Sequence, residues 1–238
     1  QLQGNGVGSA IDAGHQAMLK SLSEPFVSVV MAGDGQMDPD DLELLIEPVT
    51  KNQADYVKGN RFLHQDGLGN MPLVRKIASM ILGFFTTLAA GRHVTDPQCG
   101  YTATSSLVLR HWNWSKSWKG YGYPNYWLIE LSRRSMRVVE VPVKSIYGKE
   151  KSGIIMAKFF LSVGLMMLIM HHKRCFSMLF SKSVAPHTIL SFIAYILGWI
   201  TIIPGVSTDL ESELTAGFAS KLILLLFCWL CAHILDRL

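Results

Sequence analysis

The first 152 residues are predicted to form an α/β domain, and apolar helices are predicted to follow it. In the first part, short β-branched runs alternate with helical patterns, which is typical of a sheet flanked by helices. Fourteen of the 18 acidic residues lie there, whereas two later stretches of about 20 residues are almost uncharged. These observations divide the chain into a domain at 1–152, a juxtamembrane segment at 153–182 and a two-helix membrane anchor at 183–238.

The composition excludes several classes of protein. Of the 238 residues, 49% are hydrophobic and 17% are charged, against roughly 25% charged in an ordinary soluble domain. The net charge of +4 is small, so a disordered chain and a protein that coats nucleic acid are both excluded, and we expect no nucleic-acid partner. The four cysteines form no evenly spaced framework, which argues against a secreted disulfide scaffold.

The elements of the domain are predicted in order along the chain. Residues 26–31 form an apolar run that ends before Gly33, which indicates a buried strand. Asp38 and Pro39 then begin a helix, because a proline in the first turn and acidic residues near the dipole favour that end. The remaining elements are a strand at 56–57, a long helix at 71–90, a short strand after residue 101 and a strand at 137–143.

Three apolar stretches follow the domain. Those at 187–204 and 215–235 are long enough to cross a bilayer, which needs about 20 apolar residues in a helix. The stretch at 154–170 is shorter and contains Lys158, which favours a helix lying in the membrane interface, although a third span stays open.

Charge predicts the orientation of these stretches. The segment 151–182 contains lysines and arginines and no acid, whereas Asp209, Glu211 and Glu213 lie between the two predicted spans. Because positive residues stay on the cytoplasmic side, we predict an integral membrane protein whose domain faces the cytoplasm. Small residues in the anchor such as Gly198 permit a homo-oligomer.

The most informative motif is the segment 32–39, directly after the first predicted strand. In an extended segment alternate side chains point the same way, so we expect Asp34 and Gln36 to present a carboxylate and an amide oxygen to one ion. Magnesium prefers such hard oxygen ligands, often together with substrate phosphates. The alternative is a helix-capping loop, and we expect Asp38 to have that role. Asp34 lies between two glycines and caps no downstream helix, which favours a ligand role.

A second polar cluster, residues 58–61, also follows a strand. Arg75 and Ser79 come later with a spacing of four, which places them on one helix face. Arginine suits phosphate because its planar group bonds two oxygens at once. A single arginine is usually a solvated surface residue, but Arg75 begins a helix that we expect to be otherwise buried. The residues expected to bury it are Ile77, Met80, Ile81, Phe84 and Phe85.

Two weaker motifs complete the set, a polar turn at 95–101 and a basic loop at 147–152 beside the first apolar stretch. With these motifs in this order, the sequence resembles the family 2 glycosyltransferases, and within them the polyprenyl- or dolichyl-phosphate hexose synthases with a C-terminal membrane anchor. The residues that carry the resemblance are Asn5 to Ala10 with Gly14, Gly33 to Gln36 with Asp38 and Pro39, Gly59 to Arg61, Arg75 with Ser79, Asp96 to Tyr101, Glu140 to Val143 and Tyr147 to Ser152.

The resemblance implies a GT-A-like fold, which is a Rossmann-like mixed sheet flanked by helices. It also implies that a hexose is transferred, with inversion, from a UDP- or GDP-linked sugar to a polyprenyl phosphate such as dolichyl or undecaprenyl phosphate. The implied catalytic residues are Asp34, Arg61 and Arg75, and Asp34 and Gln36 are implied ligands of Mg²⁺ or Mn²⁺. The implied substrate-binding residues are Gly35, Asn60, Ser79, Asp96, Gly100 and Tyr101, with Lys149, Lys151 and Ser152 in a loop that closes over the site.

Two features differ from the family pattern. Ala32 stands where the family usually has a second aspartate. The chain begins at Gln1 without the family's opening strand and its acidic pair, so we expect an N-terminally truncated chain with that strand upstream. The alternative function is therefore a catalytically inactive, membrane-anchored module that binds a nucleotide sugar or a lipid phosphate. The Gln-x-x-Arg-Trp motif of processive polysaccharide synthases does not occur in the sequence.

Overall fold

The computed structural model describes residues 6–65, 71–146, 156–178, 186–203 and 217–236. Contacts divide the chain into two compact units, Gln1–Met167 and Leu168–Leu238. The helices and strands are α1 (Val7–Ser21), β1 (Val27–Val30), α2 (Leu42–Thr50), β2 (Tyr56–Asn60), α3 (Leu73–Ala90), β3 (Thr102–Ser105), α4 (Ser106–Arg110), α5 (Tyr123–Arg133), β4 (Val138–Pro142), α6 (Met156–Met178), α7 (Pro186–Ile200) and α8 (Gly217–Leu235). Short 3₁₀ turns lie at Pro39–Asp41, Arg61–Leu63 and Trp114–Lys116.

Unit 1 is built on a mixed sheet with the strand order β1-β3-β2-β4. Strand β3 is antiparallel to both of its neighbours, whereas β2 and β4 are parallel. Strands β1, β2 and β4 therefore run in the same direction, and their carboxyl ends lie at the edge of the sheet where β3 begins. The mixed α/β fold predicted from the sequence is confirmed.

The predicted strands and helices occur close to their predicted bounds. Asp38 caps the turn before α2, since its side chain accepts a hydrogen bond from the Asp40 N–H at 3.1 Å. Helix α1 was not predicted. Its fully buried residues are Gly8, Asp12 and His15, so its buried side gives little apolar signal in the sequence.

The core of unit 1 lies between helix α2 and the sheet. Leu45 of α2 and Val57 of β2 are completely buried there, together with Tyr101 and Ala103. Gly59 of β2 has no room for a side chain, because a methyl group there would lie 2.7 Å from the Val143 side chain. This packing fixes the end of β2, where the second polar cluster begins.

Helix α3 packs on unit 1 through its small residues. A methyl group at Gly83 would lie 3.0 Å from the carbonyl oxygen of Thr95, so the helix approaches that backbone closely. The expectation that Ile77 and its large neighbours are buried is wrong, because small residues together with Leu82 and Leu88 take the inner side of α3 and leave the other large residues outside. We call these large residues the apolar face of α3: Leu73, Val74, Ile77, Met80, Ile81, Phe84 and Phe85, which are 37–75% exposed.

Unit 2 is built around the packing of α7 on α8. Tyr195 and Trp229 are buried in its core with Leu225 and Ala232. A methyl group at Gly198 would lie 2.9 Å from Trp229 Cδ1. Gly198 therefore serves the packing of two helices of one chain, and this packing gives no support to the predicted homo-oligomer.

The predicted interfacial helix at 154–170 falls in α6, which is one continuous helix of 23 residues. Among the described residues, one helix, Leu73–Ala90, is long and apolar enough to cross a membrane, judged by length and composition alone. Helix α7 (Pro186–Ile200) and the apolar stretch Ala219–Leu235 within α8 are shorter. The two-span anchor therefore stays a prediction.

Candidate functional site

Four segments meet at the carboxyl edge of the sheet, which we define as the edge where β1, β2 and β4 end. They are the segments after β1, β2 and β4 and the loop before β3. Residues 31–38 follow β1, and Met37 pairs with Ser145, which follows β4. The Ile146 N–H also donates to the carbonyl oxygen of Gln36 at 3.1 Å. Because β1 and β4 are the outer strands of the described sheet, the loop after β1 passes the ends of the two strands between them.

The loop after β1 presents Asp34 at an exposed turn. Gly35 has a φ of 74°, in the left-handed region that favours glycine. The Asp34 Oδ1 atom accepts a hydrogen bond from the Gln36 N–H at 3.1 Å. The expected extended geometry is therefore wrong: Asp34 closes a local turn and does not alternate with Gln36 along a strand. Its carboxylate remains exposed to solvent, and Gln36 is half-buried.

These two side chains fit a metal ion only if a substrate supplies further ligands. Among the described ranges, no group of three or more His, Cys, Asp or Glu residues could hold a metal. Asp34 offers one carboxylate and Gln36 one amide oxygen, while Ala32 offers no ligand. Magnesium is often held by one or two carboxylates together with substrate phosphates and water, which matches this donor set.

Arg61, directly after β2, is paired with Asp96. Its Nε lies 2.8 Å from Asp96 Oδ2, and its Nη2 lies 2.7 Å from Oδ1. The backbone N–H of Arg61 also donates to Oδ2 at 3.0 Å. Asp96 thus accepts three hydrogen bonds from one residue, and the guanidinium is held in a defined plane at the carboxyl edge.

A network of polar side chains lies beneath this pair. The Lys58 Nζ donates to the backbone carbonyl of Asp96 and lies 3.5 Å from Glu140 Oε1. Glu140 Oε2 accepts hydrogen bonds from Asn60 Nδ2 at 2.6 Å and from Thr95 Oγ1 at 3.2 Å. Lys58 and Asn60 are completely buried, so the network ties the loop before β3 to β2 and β4.

Asp96 is ionised in this setting. Burial alone would raise the pKa of its carboxyl group, but hydrogen bonds from Arg61 and the charges of Lys58 and Arg61 lower the pKa below its ordinary value. Asp96 therefore stays charged at neutral pH and is not a proton carrier there.

Arg75 and Ser79 lie near the start of α3. Ser79 is 3% exposed and Arg75 is half-buried. Ser79 lies one turn before Gly83, on the side of the helix that meets the backbone of Val94 and Thr95. Both predicted residues are thus on the side of α3 that faces the loop carrying Asp96.

Three other predicted substrate-binding residues, Tyr101, Asn60 and Gly100, make contacts within the fold. Tyr101 is completely buried in the core, and its carbonyl oxygen accepts the Gly59 N–H at 2.8 Å. Asn60 caps the turn at 61–63 by accepting the Phe62 N–H at 2.9 Å. Gly100 lies beside Met37 of the loop after β1. Lys149, Lys151 and Ser152 lie outside the described residues.

Comparison with known proteins finds a match over the part of the chain that contains most of these residues. Residues 2–112 match glycosyl transferase family 2, so the match covers the loop after β1, Arg61, Arg75 and Asp96. This part of the chain, just under half of its length, is similar to a family 2 glycosyltransferase domain.

Two relatives extend the match. The chain is 32% identical over 145 residues, 61% of this chain and 57% of the relative, to a UDP-N-acetylglucosamine–dolichyl-phosphate N-acetylglucosaminyltransferase of Methanococcus voltae. It is 32% identical over 142 residues, 60% of this chain and 58% of the relative, to an uncharacterized protein of Methanocaldococcus jannaschii. The chain therefore spans somewhat more than half the length of each of these relatives.

Sequence reasoning missed two polar connections inside unit 1. One is the Lys58–Glu140 pair, whose members are direct neighbours in the parallel register of β2 and β4. A charged residue within each apolar strand was the available signal. The other links the loop before β3 to α5 and α3. Gln98 donates to Asn125, and Asn125 Nδ2 donates to Thr86 Oγ1 at 2.8 Å.

Proposed function

We propose that this protein is a membrane-associated glycosyltransferase that moves a hexose from a UDP- or GDP-linked sugar to a polyprenyl phosphate at the cytoplasmic face of the membrane. The observation that carries the proposal is the meeting of four segments at the carboxyl edge of a family 2 glycosyltransferase domain. A relative of 32% identity is named for transfer to dolichyl phosphate, which supports a lipid phosphate as the acceptor.

The chemistry of this acceptor requires little of the protein. A phosphate monoester has a second pKa of about 6, so it is largely ionised at neutral pH and needs no general base. One of its oxygens attacks the anomeric carbon and forms the new C–O bond. The bond from that carbon to the donor diphosphate breaks, and the nucleoside diphosphate leaves with the electron pair.

The protein's task is to align the two substrates and to stabilise charge on the leaving diphosphate. Asp34 and Gln36 would hold Mg²⁺ or Mn²⁺ together with the diphosphate, and the ion would supply positive charge there. Arg61 places a guanidinium at the same edge of the sheet, and Arg75 and Ser79 lie on the side of α3 that faces the loop of Asp96. Fixed positive groups of this kind stabilise developing negative charge without reorganising in the reaction.

The apolar face of α3 supports association of unit 1 with a membrane. It is a contiguous row of large side chains, and exposed apolar surface of this extent marks an interaction site. Lys76, near the start of the helix, can pair with anionic lipid headgroups. Because the opposite side of α3 packs on unit 1, we propose that this helix lies in the membrane interface and does not cross it.

The experiment is a transfer assay with the full chain in lipid nanodiscs. Labelled UDP- and GDP-sugars are supplied with dolichyl phosphate and Mg²⁺, and label in the lipid phase is measured. We expect a labelled lipid with at least one donor, and no product when dolichol replaces dolichyl phosphate, because an alcohol is not ionised.

The same assay separates the alternative function. Ala32, at a position where the family usually has an aspartate, favours an inactive module that binds its ligands without reaction. Binding of nucleotide sugar without any labelled lipid would contradict the proposed transfer and support that module.

A further inference from the structure

We propose that Asp96 is a positioning residue for the transfer: it sets the direction in which the Arg61 guanidinium meets the anionic groups of the substrates. This inference rests on the proposed function and refines the predicted role of Asp96 in substrate binding. The Arg61 side chain is 12% exposed, whereas that of Asp96 is 0% exposed. Of the two side chains, the arginine is therefore the one nearer to the surface at the carboxyl edge, and the carboxylate lies behind it.

The contacts between the two residues fix the guanidinium plane. A guanidinium has five N–H donors in one plane, and Asp96 accepts one from Nε and one from Nη2. The donors on the other edge of the group point away from the carboxylate. The backbone N–H of Arg61 makes the third contact, so Asp96 holds both the backbone and the guanidinium group of this arginine.

Asp96 is itself held by the sheet. Lys58 of β2 donates to the Asp96 carbonyl oxygen, and Thr95 donates to Glu140 of β4. The network contains two cations and two anions, so each buried charge faces an opposite charge. Strands β2 and β4 therefore set the direction of the Arg61 guanidinium through Asp96.

Unit 1 contains a matched pair at the opposite edge of the same two strands. Asp55 directly precedes β2, and Arg137 directly precedes β4. Asp55 accepts the Arg137 backbone N–H at 2.8 Å, its Nε at 3.1 Å and its Nη2 at 2.8 Å. These three contacts repeat those of Asp96 with Arg61, but they lie at the edge away from the site. Asp55 is therefore the control for a purely structural carboxylate.

The experiment compares Asp96→Asn with Asp55→Asn in the full chain, each alone and combined with Arg61→Gln. Binding of inorganic pyrophosphate in the presence of Mg²⁺ is measured by calorimetry, and the unfolding midpoint is measured alongside. We expect both asparagine variants to lower the midpoint, whereas only Asp96→Asn weakens pyrophosphate binding, by about tenfold. In the Arg61→Gln background Asp96→Asn is expected to cause less than about a twofold further loss, because the positioned group is gone.

Two results would overturn the inference: equal pyrophosphate affinities for the two asparagine variants, or full additivity of Asp96→Asn with Arg61→Gln. If Asp96→Asn does not fold, Asp96→Glu replaces it in the comparison, because it keeps the charge and displaces it by one methylene. A wild-type affinity of Asp96→Glu for pyrophosphate would contradict the positioning role. Absence of pyrophosphate binding by the wild type would also overturn it. The expected pattern of affinities in a chain that transfers no sugar would instead contradict the proposed function alone.

Discussion

His15 shows at the scale of one residue how burial changes chemistry in this fold. Its Nδ1 lies 2.8 Å from Ser28 Oγ, and its ring lies 5.4 Å from the ring of Trp127. The side chain is 3% exposed, and burial lowers its pKa to about 4. His15 is therefore neutral at physiological pH and belongs to the support of the sheet.

Acid is expected to destabilise unit 1 through His15. The unfolded chain binds the proton near pH 6.5 and the folded chain only near pH 4, so stability is complete above 6.5 and is lost as the pH falls through that window. The loss amounts to about 3 kcal/mol. His15→Gln should remove this part of the pH dependence of the unfolding midpoint, whereas exposed His111→Gln should not. Identical profiles for wild type and His15→Gln would contradict the expectation.

Asp34 and Asp96 show how far the sequence predicts individual site residues. Asp34 was identified by its residue type and its place directly after a strand, because such residues lie near a strand end in an α/β fold, whereas Asp96 was assigned through the family resemblance. The sequence could not distinguish an exposed carboxylate from a buried one. The buried setting of Asp96 depends on Lys58 and Glu140. These residues are 82 positions apart and meet only through the pairing of β2 with β4.

At the scale of elements, helix α3 shows what periodicity leaves undetermined. Its length and bounds were predicted, because a long apolar pattern predicts a helix whatever surrounds it. The pattern does not reveal which side meets the domain, since both sides contain apolar residues. Gly83 and Thr86 took the inner side because small residues allow the closest approach to the Thr95 backbone.

The apolar face of α3 is expected to contact lipid. A nitroxide label at Ile81→Cys should be more accessible to oxygen than to a water-soluble relaxant in nanodiscs, because oxygen partitions into lipid. Leu107→Cys is the matched control, since Leu107 is 53% exposed on α4. The half-buried Cys228 and Cys231 are replaced by alanine, and Cys99 and Cys175 are buried. Equal accessibility profiles at the two labelled positions would contradict an interfacial α3.

At the scale of the whole molecule, the sheet brings together segments that are distant in sequence. The loop after β1, Arg61 after β2, Asp96 before β3 and Ser145 after β4 share one edge because β1, β2 and β4 run in the same direction. The sequence predicted the α/β class from alternating patterns. It did not predict the strand order or the reversed β3, because these depend on contacts between strands that are far apart in the chain.

The proposed transfer depends most on Asp34, the exposed carboxylate in the loop after β1. The deciding measurement is the initial rate of sugar transfer to dolichyl phosphate, with Mg²⁺, for wild type, Asp34→Asn and Asp40→Asn. Asp40 is the control because it is an exposed carboxylate a few residues further along, outside the proposed ligand set. We predict that Asp34→Asn lowers the rate by roughly a hundredfold or more and that Asp40→Asn retains it within about twofold. A wild-type rate in Asp34→Asn would contradict the proposed site.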